Sequence, residues 1–338
     1  MSFTDNRYIV KSPYEYGTLN LSSVGNAHFV RVCSIVSNTT VTLKNFDGDT
    51  LGSVLIGNAG DSIVVEKDVL ETLTTNQNVY ATGEGDGVSP PANDPEAIVA
   101  DSATTLQSWY DASNGNEFVP SNPADGATFT QWTDKSNFSH NANPHGGATT
   151  RPTFQTNELN SLSVVRFDGV NDGLSINPYS ELVNAGAVTV FVVSKLTSSG
   201  SDPQIFGTTD GKFSMNYDTI NNAWRFNAPT GMAGMFVGPA TGANDNAWHI
   251  HTVAFDGSQG TDATKFRYRR DKTAITLTFP STVASTIGSS SQFDIGFNSA
   301  GPGNFMQGDI AELLVFDKAL TNTEITNIEN YLSTKWGL

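Results

Sequence analysis

The chain has 338 residues, enough for two domains and a sizeable core. Its formal net charge is −16, with acidic residues spread along the whole length, which argues against nucleic acid or an anionic membrane as a partner. A single cysteine, Cys33, excludes a disulfide framework, and no apolar run is long enough to span a membrane. The opening Met-Ser-Phe-Thr-Asp-Asn-Arg-Tyr lacks the apolar stretch of a secretory signal, so we expect synthesis in a cytoplasm and exit by lysis or within a particle. Few charged residues and abundant Gly, Asn, Ser and Thr favour short strands joined by turns.

Residues 1–83 read as a small β domain. Tyr8, Tyr14 and Tyr16 flank Pro13 in a segment that is either an extended arm pinning the domain to a neighbour or a first edge strand. Strand-like runs follow at Phe29–Val36, where Cys33 reads as a packed thiol, and at Thr39–Asn45, Thr50–Ile56 and Ser62–Glu66. Asp47-Gly48 and Asn58-Ala59-Gly60 are turn signals between them. Leu70–Thr75 reads as a short irregular or helical piece, and Val79–Thr82 as a last strand. Residues 84–105 are dense in Gly, Pro and acid and hold no aromatic, the composition of a semi-stiff linker.

Beyond the linker the pattern changes, and all five tryptophans lie there. Leu106–Ser113 reads as an opening strand, followed by the loop Trp132–Asn143 and by Arg151–Ile176 with its Arg166-Phe-Asp-Gly-Val-Asn-Asp172 turn. Val188–Leu196 is a nearly continuous apolar run, and Trp248–Gly257 is another strand. The chain closes with an apolar strand at Ile310–Phe316, then Thr321 with Glu324 three residues on, which is a capping box. Ile325, Ile328, Leu332 and Trp336 then fall on one helical face.

These blocks, in this order, resemble the laminin-G-type jelly rolls of the concanavalin A-like lectin/glucanase superfamily, although the loop has Asn137 where that family usually has Gly. The resemblance implies an all-β chain: a small N-terminal β domain, then a C-terminal β-sandwich jelly roll over 106–338 with a short C-terminal helix. Residues 1–83 weakly resemble small β modules of tailed-phage structural proteins. Together the two likenesses imply a virion protein, a capsid decoration or tail component. It docks on virion proteins through its N-terminal domain and displays a glycan-binding head at the virion surface, as a homo-oligomer and most simply a trimer. A non-viral bacterial surface lectin or adhesin, and a ligand-free cement protein, are the alternatives.

Catalysis is not expected. A glucanase places two carboxylates at the scissile bond. No two acids beyond the linker stand at i, i+2, and a regular strand would point Asp309 and Glu312 to opposite faces. No nucleophile elbow or phosphate loop is present. His249 and His251 share a strand face and would need a third ligand to hold zinc, so a hydrogen-bonded pair is the plainer reading. The superfamily resemblance implies one calcium near the sheet edge, with Asp134 and Asp172 as its loop acids and turn capping as their other role. Trp109, Trp132, Trp248 and Trp336 belong to the family blocks and read as core. Trp224 stands among amides, so Trp224, Arg225 and Asn227 form the candidate glycan patch, with the loop Gly231–Gly238 beside it.

Overall fold

The computed structural model describes residues 14–18, 29–34, 38–44, 50–56, 58, 62–66, 72–75, 78–84, 95–99, 102–198, 202–221, 223–228, 233–236, 245–299 and 304–338. The chain divides into two compact units, Met1–Pro90 and Pro91–Leu338.

The first unit is built of strands β1 (Tyr14–Thr18), β2 (Phe29–Ser34), β3 (Thr39–Lys44), β4 (Thr50–Ile56), β5 (Ser62–Glu66), β6 (Thr72–Thr75) and β7 (Asn78–Glu84). They form a four-stranded sheet in the order β1-β7-β2-β5 and a three-stranded sheet in the order β4-β3-β6. Tyr14 and Tyr16 therefore belong to an edge strand, one of the two readings of the tyrosine segment, while Tyr8 lies outside the described residues. The segment expected to be irregular or helical instead ends in a strand. Thr72–Thr75 pairs with β3, as the β-branched run Thr-Leu-Thr-Thr prefers. Cys33 sits in β2, but its side chain lies outside the described ones.

The second unit starts earlier than the linker composition suggested. Pro95–Ile98 (α1) and Ser102–Thr105 (α2) are short helices. Val99 between them is fully buried against the C-terminal helix cluster, and Ser102 donates its hydroxyl to the Glu96 carbonyl. Residues 95–105 are thus part of the jelly-roll unit, because the apolar Ile98-Val99 pair has a surface to bury against.

Two sheets make the sandwich. One contains β11 (Asn143–Pro144), β14 (Leu174–Ile176), β23 (Phe293–Ile295), β16 (Gln204–Thr208), β17 (Ser214–Asp218), β18 (Ala223–Ala228) and β19 (Ala233–Phe236), in that spatial order. The other runs β12 (Thr153–Leu159), β13 (Leu162–Asp168), β24 (Gln307–Phe316), β15 (Ala187–Ser198), β20 (Trp248–Asp256), β21 (Phe266–Arg270) and β22 (Thr273–Ile275), with β8 (Leu106–Asp111) also pairing with β24. The remaining pair, β9 (Phe118–Val119) and β10 (Gln131–Trp132), makes a two-stranded ribbon.

Strand alternation assigns each side chain to a layer. Val188, Val190 and Val192 of β15 join Val165 and Phe167 of β13 in the core between the sheets, against Phe206, Met215, Trp224, Phe226 and Phe293. Phe191 and Val193 point the other way, into a second apolar layer with Val164, Leu314, Phe316 and the helix α4 (Asn322–Trp336). A strand buried on both faces must be apolar at successive positions, which accounts for the nearly unbroken run at 188–196.

The closing segment follows its sequence signature. Thr321 Oγ1 accepts from the Glu324 amide at 3.2 Å, and the Thr321 amide donates to Glu324 Oε2 at 2.7 Å. Gly337 ends α4 at φ 71°, the left-handed conformation that glycine tolerates. Ile325, Ile328, Leu332 and Trp336 are buried, and Trp336 Nε1 donates to Glu312 Oε2 at 2.7 Å. We predict that Trp336→Ala lowers unfolding free energy by about 3–5 kcal/mol in chemical denaturation, because it leaves a large cavity and an unfilled acceptor. A loss below about 1 kcal/mol would show α4 to be peripheral to the fold.

Candidate functional site

The residues expected to bind glycan do not share a face. Trp224 is 2% exposed and lies in the inter-sheet core, edge-on to His251 at 5.0 Å and to Tyr217 at 5.9 Å. Its ring cannot stack on a ligand. The alternation of β18 sends Trp224 and Phe226 inward and Arg225 and Asn227 outward. Arg225 Nη1 pairs with Asp202 at 3.2 Å and Asp218 at 3.5 Å, beside the almost fully buried Gln204 and Asn216. Of the neighbouring loop Gly231–Gly238, only the backbone of β19 lies within the described residues.

The two acids expected at calcium have separate roles. Asp134 accepts from the Trp109 amide at 2.8 Å, the Ser136 amide at 2.9 Å, the Ser136 hydroxyl at 2.7 Å and the His140 amide at 2.8 Å. Both of its oxygens are occupied in tying the 132–141 loop to β8, so Asp134 caps a turn and does not fit a metal ligand. Asp172 Oδ2 accepts from the Asp168 amide at 3.0 Å, and Asp168 Oδ1 accepts in return from the amides of Val170, Asn171 and Asp172. Among the described residues no three His, Cys, Asp or Glu side chains gather as a metal site.

His251 is buried with its Nδ1 2.8 Å from the Tyr268 hydroxyl, and burial holds its imidazole down at about 3. His249 instead has one nitrogen 2.7 Å from Asp271 and the other 3.1 Å from Asp245. Burial opposes the charge on His249, but Asp271 and then Asp245 outweigh it, and its pKa is raised.

The structure does assemble a cleft that the sequence did not disclose. It has a volume of about 510 Å³ and lies where the end of β13, the start of β24 and the end of β15 meet the 148–153 segment. Arg166 and Asp309 face each other across β13 and β24, on the side opposite the inter-sheet core. Arg166 donates from Nε to Asp309 Oδ1 at 2.6 Å and from Nη2 to Oδ2 at 3.1 Å, a bidentate pair that Lys195 completes at 2.8 Å. The bond to Asp309 raises the Arg166 pKa still further. This ion cluster is the floor.

The walls are less committed. Arg151, Thr149 and Gln307 line the cleft with no side-chain partner among the described residues, and Asp168 and Asp172 line it as acceptors. Burial first, and the Asp168 charge second, push the Asp172 carboxyl up to about 6. The 168–173 loop holds its shape through Gly169, at φ 76°, and through Gly173, where a Cβ would lie 2.3 Å from the Phe297 ring.

One sequence argument against catalysis fails here, though a different one replaces it. The pairing of β24 with β15 slips between Val193↔Glu312 and Ser194↔Ile310, a β-bulge. The bulge puts Asp309 and Glu312 on the same face, opposite Ile310 and Leu313. Both carboxylates are nevertheless consumed. Asp309 serves Arg166 and Lys195, and Glu312 serves Trp109, Tyr331, Lys335 and Trp336.

Residues 168–326 match the family described as the concanavalin A-like lectin/glucanases superfamily. No curated protein sequence matches the chain. Among solved structures, domain 4 of AbnA, an extracellular arabinanase from Geobacillus stearothermophilus solved with arabinotriose, is 15% identical with a TM-score of 0.44. The alignment covers 67% of this chain and 98% of that domain. Botulinum neurotoxin type C, whose cell entry depends on two ganglioside molecules, is 11% identical with a TM-score of 0.47 over 69% of this chain and 52% of its own. The Trypanosoma rangeli sialidase in complex with sialic acid is 14% identical with a TM-score of 0.45, over 85% of this chain and 46% of its own. The present chain thus spans about half the length of the latter two.

Two pH effects are expected. A raised pKa in the folded state stabilises below the unfolded value, and the gain is lost as pH rises through the folded value. For Asp172 that loss develops between its ordinary 3.8 and about 6, so Asp172→Asn is expected to raise the melting temperature above neutrality and to leave it unchanged in acid. A pH-independent effect would show that the carboxyl carries no such strain. For His249 the gain is present below its ordinary 6.5 and lost above its raised value, so Asp271→Asn is expected to cost more stability in mild acid than in alkali. Equal losses at both would confine Asp271 to the turn it makes with Ile250. Residues 168–326 carry the laminin-G-type, concanavalin A-like jelly roll that the sequence blocks resemble.

Proposed function

We propose that residues 91–338 bind carbohydrate through the cleft between β13, β24 and the 148–153 segment. The observation that carries this reading is the lining. Free donors at Arg151, Gln307 and Thr149 share the cleft with acceptors at Asp168 and Asp172 over a fixed ionic floor. A sugar hydroxyl both donates and accepts, so a wall of mixed polarity held on strands suits it. The match of residues 168–326 to a superfamily of lectins and glucanases supports the same class of ligand.

The wider proposal is that the chain is a virion structural protein, a capsid decoration or tail component. Its N-terminal unit docks on the particle, and its jelly roll is displayed at the virion surface for attachment. The support is the weak sequence resemblance of residues 1–83 to small β modules of tailed-phage structural proteins. A trimer would let weak sites act together, since several copies on one surface multiply effective concentration. We propose binding rather than hydrolysis because, of the carboxylates that line the cleft, Asp309 is held by Arg166 and Lys195, while Asp168 and Asp172 accept from amides of their own loop.

A printed panel of bacterial surface glycans tests the reading. The full chain is expected to bind at least one class of glycan, and Arg151→Ala to weaken it by about tenfold, the loss of one charge-assisted hydrogen bond. No binding by the full chain would leave a ligand-free cement protein. Cleavage of bound glycans would replace binding with hydrolysis. Mass measurement of the full chain tests the trimer.

A further inference from the structure

Beside the cleft lies a group of rings that the fold buries only in part. His145 is exposed, and its ring stacks on Phe297 with centroids 4.1 Å apart and planes inclined by 28°. Phe305 is half-buried and lies parallel to Phe297, inclined by 8° at 6.1 Å, with its centroid 5.8 Å from that of His145. Phe297 is 2% exposed and is the inner member. Its contact leaves the outer face of His145 and part of Phe305 to solvent.

The group is built rather than incidental. His145 Nε2 lies 3.0 Å from the Asn171 carbonyl, and the His145 amide donates to the Gly173 carbonyl at 3.1 Å. The Gly173 amide in turn reaches the Thr150 carbonyl at 3.4 Å. A Cβ at Gly173 would meet both Phe297, at 2.3 Å, and His145, at 3.0 Å, so only glycine lets the loop close on the rings. The same two loops form the cleft walls, since Asp168, Asp172, Ala148 and Thr149 all line it. The rings and the cleft are therefore neighbours across the 168–173 turn.

We propose that the open ring faces of His145 and Phe305 form a second sugar subsite, so that the ligand is an oligosaccharide with one unit in the cleft and the next on the rings. This rests on the carbohydrate reading of the cleft. A pyranose presents hydroxyls at its rim and C–H groups on its face. The cleft offers hydrogen-bond partners and no exposed ring, and the His145–Phe305 pair offers ring faces. The two surfaces are complementary halves of one extended site.

The test uses the full chain and homologous series of gluco-, galacto-, manno- and N-acetylglucosamine oligosaccharides of one to six units, with affinities measured in solution. Wild-type protein is expected to bind disaccharides and longer chains of one series more tightly than its monosaccharide. Phe305→Leu, which keeps an apolar side chain but removes the ring, and His145→Ala are expected to weaken the longer chains by about three- to tenfold, the size of an aromatic contact. Phe305→Leu should leave the monosaccharide affinity and the melting temperature unchanged. Arg151→Ala should weaken every length.

Equal wild-type affinity for one unit and two, or unchanged binding of the longer chains by Phe305→Leu, would overturn the second subsite while leaving the cleft intact. Equal weakening of the monosaccharide would also overturn it, by merging the rings with the first subsite. No binding of any series by the wild type would remove the carbohydrate reading and this inference with it.

Discussion

A buried carboxylate of β24, Glu312, fastens the closing helix to the sheet. Glu312 is fully buried, and its two oxygens accept from Trp109 Nε1 at 2.7 Å, the Tyr331 hydroxyl at 2.7 Å, Lys335 Nζ at 2.8 Å and Trp336 Nε1 at 2.7 Å. Burial first, and the Asp111 charge after it, raise its pKa, and Lys335 works against that rise. Lys335 also pairs with Asp111 at 2.7 Å, and Lys135 joins Asp111 at 2.9 Å while lying 3.7 Å above the Trp109 ring. The network joins β8, β24, the 132–141 loop and α4, which are far apart in sequence. A buried charge is tolerable only when its partners are complete, and removing one partner of such a set costs about 3–5 kcal/mol. Burial would push the Asp111 carboxyl up, but Lys335 and Lys135 hold it at about 2. A depressed carboxylate stabilises above its ordinary value of 3.8 and loses that stability as pH falls through about 2, so this fastening persists into strong acid.

The same bulge that delivers Glu312 to α4 also shapes the cleft. It adds a residue to β24 at Ala311, so that Asp309, one turn of the pleat earlier, faces Arg166 and Lys195 away from the inter-sheet core. Two neighbouring acids on one strand thus end in two separate cation clusters. The first anchors a helix and the second makes a rigid floor. Rigidity matters for a weak ligand, because a floor already ordered in the free protein loses no side-chain freedom on binding.

Much of the fold was legible because it is written in local chemistry. The capping box at Thr321 and Glu324, the 3.6-residue spacing of Ile325, Ile328, Leu332 and Trp336, and the continuous apolar run of β15 each name an element and the layer it fills. The errors came where local reading met a long-range fact. The amide neighbours of Trp224 suggest a surface position, but its strand parity with Phe226 is the better signal and places it in the core. Strand parity alone puts Asp309 and Glu312 on opposite faces, because a bulge depends on the register against β15, which no local pattern shows. Residues 95–105 read as linker on Pro and Asp content, although Ala97-Ile98-Val99 within them was apolar enough to need burial.

The cleft itself could not have been read, since its lining runs from Thr128 to Asp309 and becomes contiguous only in the folded sheet. Its chemistry nonetheless follows from individual residues. Asp168 turns Oδ1 to three amides of its own loop, which fixes the loop and leaves Oδ2 for other partners. Asp172, drawn inward by its bond to the Asp168 amide, suffers both burial and its neighbour's charge. A ligand hydroxyl that donates to Asp172 would relieve that cost. The loop therefore carries a strained acceptor in a cleft that the unpaired donor Arg151 also lines. Strain of that kind favours a partner that brings hydrogen-bond donors into the cleft while leaving the ionic floor undisturbed.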